Sequence, residues 1–586
     1  MTQAPSAVAA AEAARRKADP LAVYDIVSEA LGAGANDPRL HYLQVLALAQ
    51  LGARTRAERF YRSYRLSETA DEDSLALGGR LAKDKARAAT GEARKAYFQA
   101  ASDAYFAAYQ LRAGYFPAIN AASMSWAAGD HARARVLAEA VLAHPDLRPP
   151  TCFYASASQA EALLLLGRTA EAKEAVKRAL DQPDAGAGDR ASAYRQLHWL
   201  HAEENIGGPE VEDLLARLRP PPVAAFCGHM FRADDAVERP LRAELDAALE
   251  RTGANIGYGA LACGGDIVIA EALLARGGEL NVVLPFARED FIRASVLPGG
   301  EEWVPRFDRC LEAAGSVTYA TRMGYVGHDD QFNYGSALTM GLARLRALQL
   351  SAEAIQIALW DGRPAKGKAG TAHDVGAWRA AGGKTEIVRL THIDRALDRG
   401  RRRSVYSGPA RVMRAIIFTD FAGFSKLSEG ALPEFWKEVM GRIGKLLRAR
   451  GTAVCGRNTW GDALFAIVAD PHTAAEIALD IGDSIRGATF SDPHLRAAEG
   501  MRIGIHFGPI YEDIDPVTAA TAFYGTEVTL TARIEPKVPT GQIYVTQPFA
   551  AILATEAPGE FGLNYVGRVT LAKNYGELPM YQLERR

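Results

Sequence analysis

The chain has 586 residues, enough for three or four domains, and its 48% hydrophobic, 24% charged and 8% aromatic content excludes wholesale disorder. Lysine plus arginine (68) balances aspartate plus glutamate (70) to a net charge of −2, so no global pull toward nucleic acid or an anionic membrane is expected. Five scattered cysteines without a CxxC pair exclude a disulfide framework or a cysteine zinc site, no apolar run approaches a membrane span, and the alanine-rich start lacks the core of a secretion signal; the expected setting is cytoplasmic.

Residues 1–218 read as helix. Tyr42–Tyr64, Ala104–His144 and Phe153–Leu180 carry apolar residues at helical spacing. Gly52, Gly129 and Gly167 each follow an apolar helix, and each has an alanine five residues later (Ala57, Ala134, Ala172). Leu163-Leu-Leu-Leu-Gly-Arg-Thr-Ala-Glu-Ala172 resembles the turn of a tetratricopeptide repeat, where glycine permits a tight inter-helix turn and alanine lets the second helix approach the first. The spacing between units is irregular, so the expectation is a degenerate array that holds a protein partner, with a generic helical bundle as the alternative.

Pro220-Pro-Pro222 marks a boundary. Over 219–390, short β-rich runs (Val223–Gly228, Asn255–Gly259, Leu280–Phe286, Val317–Ala320, Ala354–Trp360, Lys384–Arg389) alternate with helical patterns, which predicts a parallel sheet covered by helices on both faces. Gly257-Tyr-Gly259 ends a strand and Gly264-Gly265-Asp266 opens a helix, a turn at which backbone can approach a phosphate. Asp361-Gly362 suits a second rim of the same pocket. This segment resembles the SLOG-type Rossmann-like domains, including the LOG nucleotide hydrolases, which implies a small nucleotide-like ligand. The arginine and glutamates of the LOG enzymes have no counterpart here, so a sensing pocket is expected in place of a catalytic one. Close helix–sheet packing is the alternative use of these glycines. Residues 391–411, with Arg399 and Arg401–Arg403, read as a basic linker.

From 412 onward the chemistry concentrates. Ala415-Ile-Ile-Phe-Thr-Asp420 is an apolar strand ending in a carboxylate, followed by Phe421-Ala422-Gly423-Phe424-Ser425 turning into a helix. Asn458-Thr-Trp-Gly-Asp462 sets a second carboxylate at a hairpin tip, where the two can share a pair of magnesium ions. The strand Met501–Gly508, the helix opened by Tyr524-Gly-Thr-Glu-Val-Thr-Leu-Thr-Ala-Arg533, the strand Gly541–Thr546 and the terminal runs Tyr565–Lys573 and Met580–Leu583 follow in order.

In that order these segments resemble a class III nucleotidyl cyclase catalytic domain, an α+β ferredoxin-like fold. The resemblance implies that Asp420 and Asp462 hold two Mg²⁺ or Mn²⁺ ions per site. It implies further that the backbone amides of Phe421–Ser425 and the Lys573 ammonium bind phosphate, and that Arg533 neutralises the α-phosphate. The family's lysine for purine reading is Asn458, its aspartate is Ala522, and its ribose-orienting asparagine is Thr529. The base-reading positions thus carry neither the adenine nor the guanine pattern. ATP to cyclic AMP is the default expectation. GTP or a pyrimidine nucleotide, or a weakly catalytic nucleotide-binding module, are the alternatives. The family builds each site between two catalytic domains, so a homodimer is expected.

Overall fold

The computed structural model describes residues 6–17, 19–321, 324, 325, 327, 329–364, 369–390, 411–497 and 500–586. The basic linker expected over 391–411 lies, but for Arg411, outside them. The chain divides into two compact units, Met1–Pro220 with Gln349–Ala352, and Pro221–Leu348 with Glu353–Arg586.

The first unit is helical from Ala7–Arg16 to Glu210–Leu218. Gly52, Gly129 and Gly167 all adopt positive φ (79°, 92° and 74°), which a residue with a Cβ adopts only at a cost. Each closes one helix and turns the chain back, as the repeat pattern predicts. Ala57, Ala134 and Ala172 are fully buried, so the second helix of each pair sits close against the first. Phe98, Phe153 and Trp199 belong to one core that runs from Ala76 to Leu218.

The second unit contains two sheets. Six strands, β1 (Val223–Gly228), β2 (Ile256–Gly259), β3 (Glu279–Leu284), β4 (Ser316–Tyr319), β5 (Ala354–Trp360) and β6 (Lys384–Arg389), pair in the order β4-β3-β2-β1-β5-β6. Every pairing is parallel. The order reverses between β1 and β5, which opens a crevice at the carboxyl ends of these strands.

The other sheet has eight strands: β7 (Arg411–Phe421), β8 (Val454–Trp460), β9 (Ala463–Val468), β10 (Met501–Ile514), β11 (Thr521–Tyr524), β12 (Ile543–Thr546), β13 (Phe561–Thr570) and β14 (Glu577–Arg585). The order is β13-β14-β12-β10-β7-β9-β8, with β11 on β10. Ala415, Ile416 and Ile417 of β7 are buried without exception, as a strand covered on both faces requires. On the covering helical run, Phe435, Val439, Ile443 and Leu447 are buried at a strict four-residue spacing. A π-helical turn over Trp436–Met440 widens the helical period, which is how Leu447, and not Leu446, comes to face inward.

The helix Asp329–Leu350 joins the two sheets. Phe332, Gly335, Ser336, Thr339 and Met340 line the crevice of the first sheet. From another side of the same helix, Tyr334 donates a hydrogen bond to the Phe507 carbonyl of β10 at 3.0 Å. Gly341 approaches the helix Gln547–Glu556 so closely that a Cβ there would stand 2.2 Å from the Ala551 carbonyl oxygen. Among the described residues, no helix is long and apolar enough to cross a membrane.

Candidate active site

Asp420 and Asp462 meet where the sequence places them, at the end of β7 and at the β8–β9 turn. The hairpin has two residues, and the first, Gly461, has φ +61°, so the chain reverses tightly and delivers the next side chain to the sheet end. Asp462 Oδ2 accepts a hydrogen bond from the Phe421 amide at 3.3 Å, which ties the hairpin tip to the end of β7. Burial, and then the neighbouring Asp420 charge, hold the Asp462 carboxyl above its ordinary pKa.

Two residues that the sequence reading missed complete this cluster. β7 and β10 pair antiparallel with Arg502 directly opposite Asp420, and the Arg502 guanidinium forms an ion pair with the Asp420 carboxylate. Arg502 Nε also lies 2.9 Å from Glu535 Oε1. Burial opposes the Arg502 charge, but Asp420 and Glu535 outweigh it and raise its pKa. Glu535 is pushed up to about 7 by burial and then by Asp420 and Asp462, against the pull of Arg502. Three carboxylates and one guanidinium thus leave a local excess of negative charge made of hard oxygen donors, which suits Mg²⁺ or Mn²⁺.

In the segment after β7, the Phe421 amide is engaged by Asp462 and the Ala422 amide donates to the Gly500 carbonyl at 3.3 Å. Gly423 takes φ +88° and starts a short 3₁₀ turn over Phe424–Lys426. The amides of Gly423, Phe424 and Ser425 are the leading N–H groups of that turn. Phe424 packs on Phe435 with ring centroids 4.9 Å apart, which fixes the loop to the covering helix.

Arg533 and Thr529 lie on the helix Thr526–Ile534. The Thr529 side chain is exposed, and its hydroxyl donates back to the Gly525 carbonyl at 3.3 Å. Asn458 is exposed on β8, and its Oδ1 accepts from the Thr459 amide at 2.8 Å. Ala522 sits on β11 opposite Asp513. Lys573 is exposed in a left-handed turn (φ +60°, ψ +37°) after β13. Among the described residues, Arg533 and Lys573 make no ion pair with Asp420 or Asp462. At the root of the Thr526–Ile534 helix, buried His506 bonds Thr546 Oγ1 through Nδ1 at 2.8 Å, and its Nε2 lies 3.0 Å from Glu527 Oε2.

The crevice of the parallel sheet is lined by Asp266, Asp374, Gln356, Thr371 and apolar side chains such as Phe226 and Phe332, with no basic side chain among the described residues. Asp266 accepts from the Gly228 amide at 2.8 Å and the Ala262 amide at 3.1 Å, so its carboxylate occupies backbone donors that a phosphate would use. The glycines singled out there have packing reasons. A Cβ on Gly257 would meet Leu273, one on Gly259 would meet Phe226, and one on Gly265 would stand 2.6 Å from Gly228 Cα. Gly264, at φ +87°, would meet Phe231 and His229. Asp361 pairs with His229 Nε2 at 3.0 Å, a partner that sequence spacing does not show for this histidine. Gly362 is open, with φ +79°.

Residues 411–585 match the family model described as the adenylate and guanylate cyclase catalytic domain. Residues 9–125 match the model described as Tetratricopeptide Repeats-Sensor. No curated protein matches the chain. Among solved structures, the chain is similar to the guanylate cyclase domain of RhGC from Catenaria anguillulae in complex with GTP (19% identity, 30% of this chain and 97% of that one, TM-score 0.26). It is also similar to the adenylyl cyclase CyaB of P. aeruginosa (15% identity, 30% and 97%, TM-score 0.26). A third is an adenylate cyclase of Trypanosoma brucei in its monomeric state (21% identity, 31% and 96%, TM-score 0.26).

Proposed function

From the premise that this chain carries an adenylate/guanylate cyclase catalytic domain over residues 411–585, we propose that it converts a nucleoside triphosphate, ATP by default, into a 3′,5′-cyclic nucleotide and pyrophosphate. The observation that supports this most is the meeting of Asp420 and Asp462 at adjoining strand ends, with Arg502 and Glu535 against them. The ribose 3′-oxygen attacks the α-phosphorus. The new O–P bond forms as the bond to the β-phosphate bridging oxygen breaks, and the hydroxyl proton passes to solvent.

Asp420 and Asp462 would hold two Mg²⁺ or Mn²⁺ ions, which when bound acidify the 3′-hydroxyl and neutralise the triphosphate. The amides of Gly423, Phe424 and Ser425 donate to the β- and γ-phosphate oxygens, as leading N–H groups of a turn do. Arg502, freed from Asp420 when that carboxylate turns to a cation, can hold a phosphate oxygen as well. Arg533 neutralises charge on the α-phosphate and Lys573 anchors the triphosphate. In this proposal both serve a site completed by a second copy, as the resemblance to the class III cyclases implies. Catalysis rests on positioning and electrostatics.

A second reading, a nucleotide-binding module of low turnover, is favoured by Thr529 and Asn458, whose side chains are turned onto their own backbone. The crevice of the parallel sheet belongs to a SLOG-like, Rossmann-like sensor in this proposal. Asp266 and Asp374 favour the N–H and O–H donors of a base or sugar there over a phosphate. Incubating the protein with each of the four nucleoside triphosphates and Mg²⁺ or Mn²⁺, with products identified by mass spectrometry, tests the proposal. A cyclic product from any one supports the enzyme, and triphosphate binding without product supports the module.

A further inference from the structure

The helical unit holds a solvent-open cleft lined by residues from several of its helices. Its chemistry is unexpected for a repeat array. On the helix Glu72–Ala88 the residues facing it include Arg80, Lys83, Asp84 and Arg87, a stripe at helical spacing that an inward face would ordinarily fill with apolar side chains. Arg195, from the helix Ala187–Ala202, adds a fourth cation.

Their compensation is incomplete. Arg80 stands 3.9 Å from Asp84, and its buried Nε has no hydrogen-bond partner. Arg87 stands 3.9 Å from Glu203. Arg195 donates to the Gln349 carbonyl at 2.8 Å. Lys83 donates to the neutral Gln196 side chain and lies 5.4 Å from the centre of the Trp199 ring. The acids are partly spent elsewhere. Asp73 is paired with Arg39 at 2.6 Å, and Glu161 accepts from Ser123 at 2.5 Å and Gln196 at 2.6 Å. Burial pushes Lys83 down to about 8 and Arg195 down to about 10. Tyr42, Tyr105 and Tyr154 supply aromatic wall.

We propose that this cleft binds a small anionic molecule carrying a planar ring, of mononucleotide size, with Arg80, Lys83, Arg87 and Arg195 taking its charge and the tyrosines its ring. The floor favours a small molecule over a peptide. Lys83, Gln196, Glu161 and Ser123 form one hydrogen-bonded chain across four helices, so the cleft is closed beneath, and an extended chain has no path through it.

Calorimetry on the full-length protein in EDTA, which silences the metal-dependent site, tests this with AMP, GMP, UMP and CMP against adenosine and inorganic phosphate. At least one monophosphate should bind tenfold or more tighter than either half-molecule. Lys83→Met and Arg195→Met should each weaken it at least tenfold, while Arg533→Ala leaves it unchanged. Arg80→Gln serves if either variant fails to fold. The proposal is overturned if no monophosphate binds, if these substitutions leave the affinity unchanged, or if hexaglutamate binds and the monophosphates do not.

Discussion

Replacing Gly341 with alanine puts a methyl group into backbone. The added carbon would stand 2.2 Å from the Ala551 carbonyl oxygen, 2.3 Å from its carbon and 2.8 Å from its Cα. None of these is the end of a flexible side chain, so the helices Asp329–Leu350 and Gln547–Glu556 must part by about 1 Å to restore ordinary contact. Overpacking of this kind costs ~1–3 kcal/mol. The movement also strains the Tyr334 hydrogen bond to Phe507. Gly376, inside the helix Thr371–Ala380, is the control, since nothing lies within 4 Å of a Cβ there. Alanine at that position should stabilise by ~0.5–1 kcal/mol through helix propensity alone. Scanning calorimetry with cyclase assays in parallel measures both. Gly341→Ala should lower the melting temperature of the second unit by about 2–8 °C, and Gly376→Ala should raise it slightly. If Gly341→Ala melts with or above the wild type, the two helices are not in backbone contact and the reasoning fails.

Asp420→Ala or Asp462→Ala should cut cyclase activity by at least ~100-fold, since each removes several kcal/mol of transition-state stabilisation, with circular dichroism unchanged. Asp420→Ala mixed with Arg533→Ala should recover about a quarter of wild-type activity after subunit exchange, because half of randomly paired dimers contain one intact site; a mixture that stays inactive despite verified exchange refutes the shared site. Arg502→Met leaves Asp420, Asp462 and Glu535 without their guanidinium, so its melting temperature should fall without divalent metal and rise with Mg²⁺ by more than the wild type's does. Lys83 binds fewer protons in the folded state than in the unfolded state between pH about 8 and 10.5, so the stability of the helical unit should rise with pH across that window. Lys83→Met should flatten that slope in pH-dependent denaturation curves.

The two carboxylates of the candidate site were legible because the sequence marks them locally: an apolar strand stops at Asp420, and a glycine precedes Asp462 at a hairpin tip. Arg502 carries no such mark. It becomes a partner of Asp420 through the antiparallel register of β7 and β10, a relation between segments eighty residues apart that no window of sequence displays. Asp361 was marked in the sequence, yet its pairing with His229 depends on β1 and β5 being neighbours at the reversal of strand order. The glycines of the parallel sheet show the opposite difficulty. A phosphate turn and a close helix–sheet contact call for the same residue, and the side chains of Phe226, Leu273 and Phe231 show which demand is met. In the helical unit the spacing of Arg80, Lys83 and Arg87 was readable, but a charged stripe looks the same whether it faces solvent or a cleft.

The shared helix Asp329–Leu350 has a consequence for how this protein can be taken apart. A chain severed after β6 would separate Tyr334 from the Phe507 carbonyl and uncover the Ala551 backbone that Gly341 now covers, leaving the Tyr334 hydroxyl without this acceptor on one fragment and the Phe507 carbonyl without this donor on the other. The parallel sheet and the second sheet, which lie in one compact unit, are therefore expected to fold as one cooperative block. They should cross the calorimetric transition together, and recombination that exchanges the catalytic half alone has to bring a partner for this helix with it. A destabilising substitution in β2 or β5 lowers cyclase output through the common transition even where it touches no ligand.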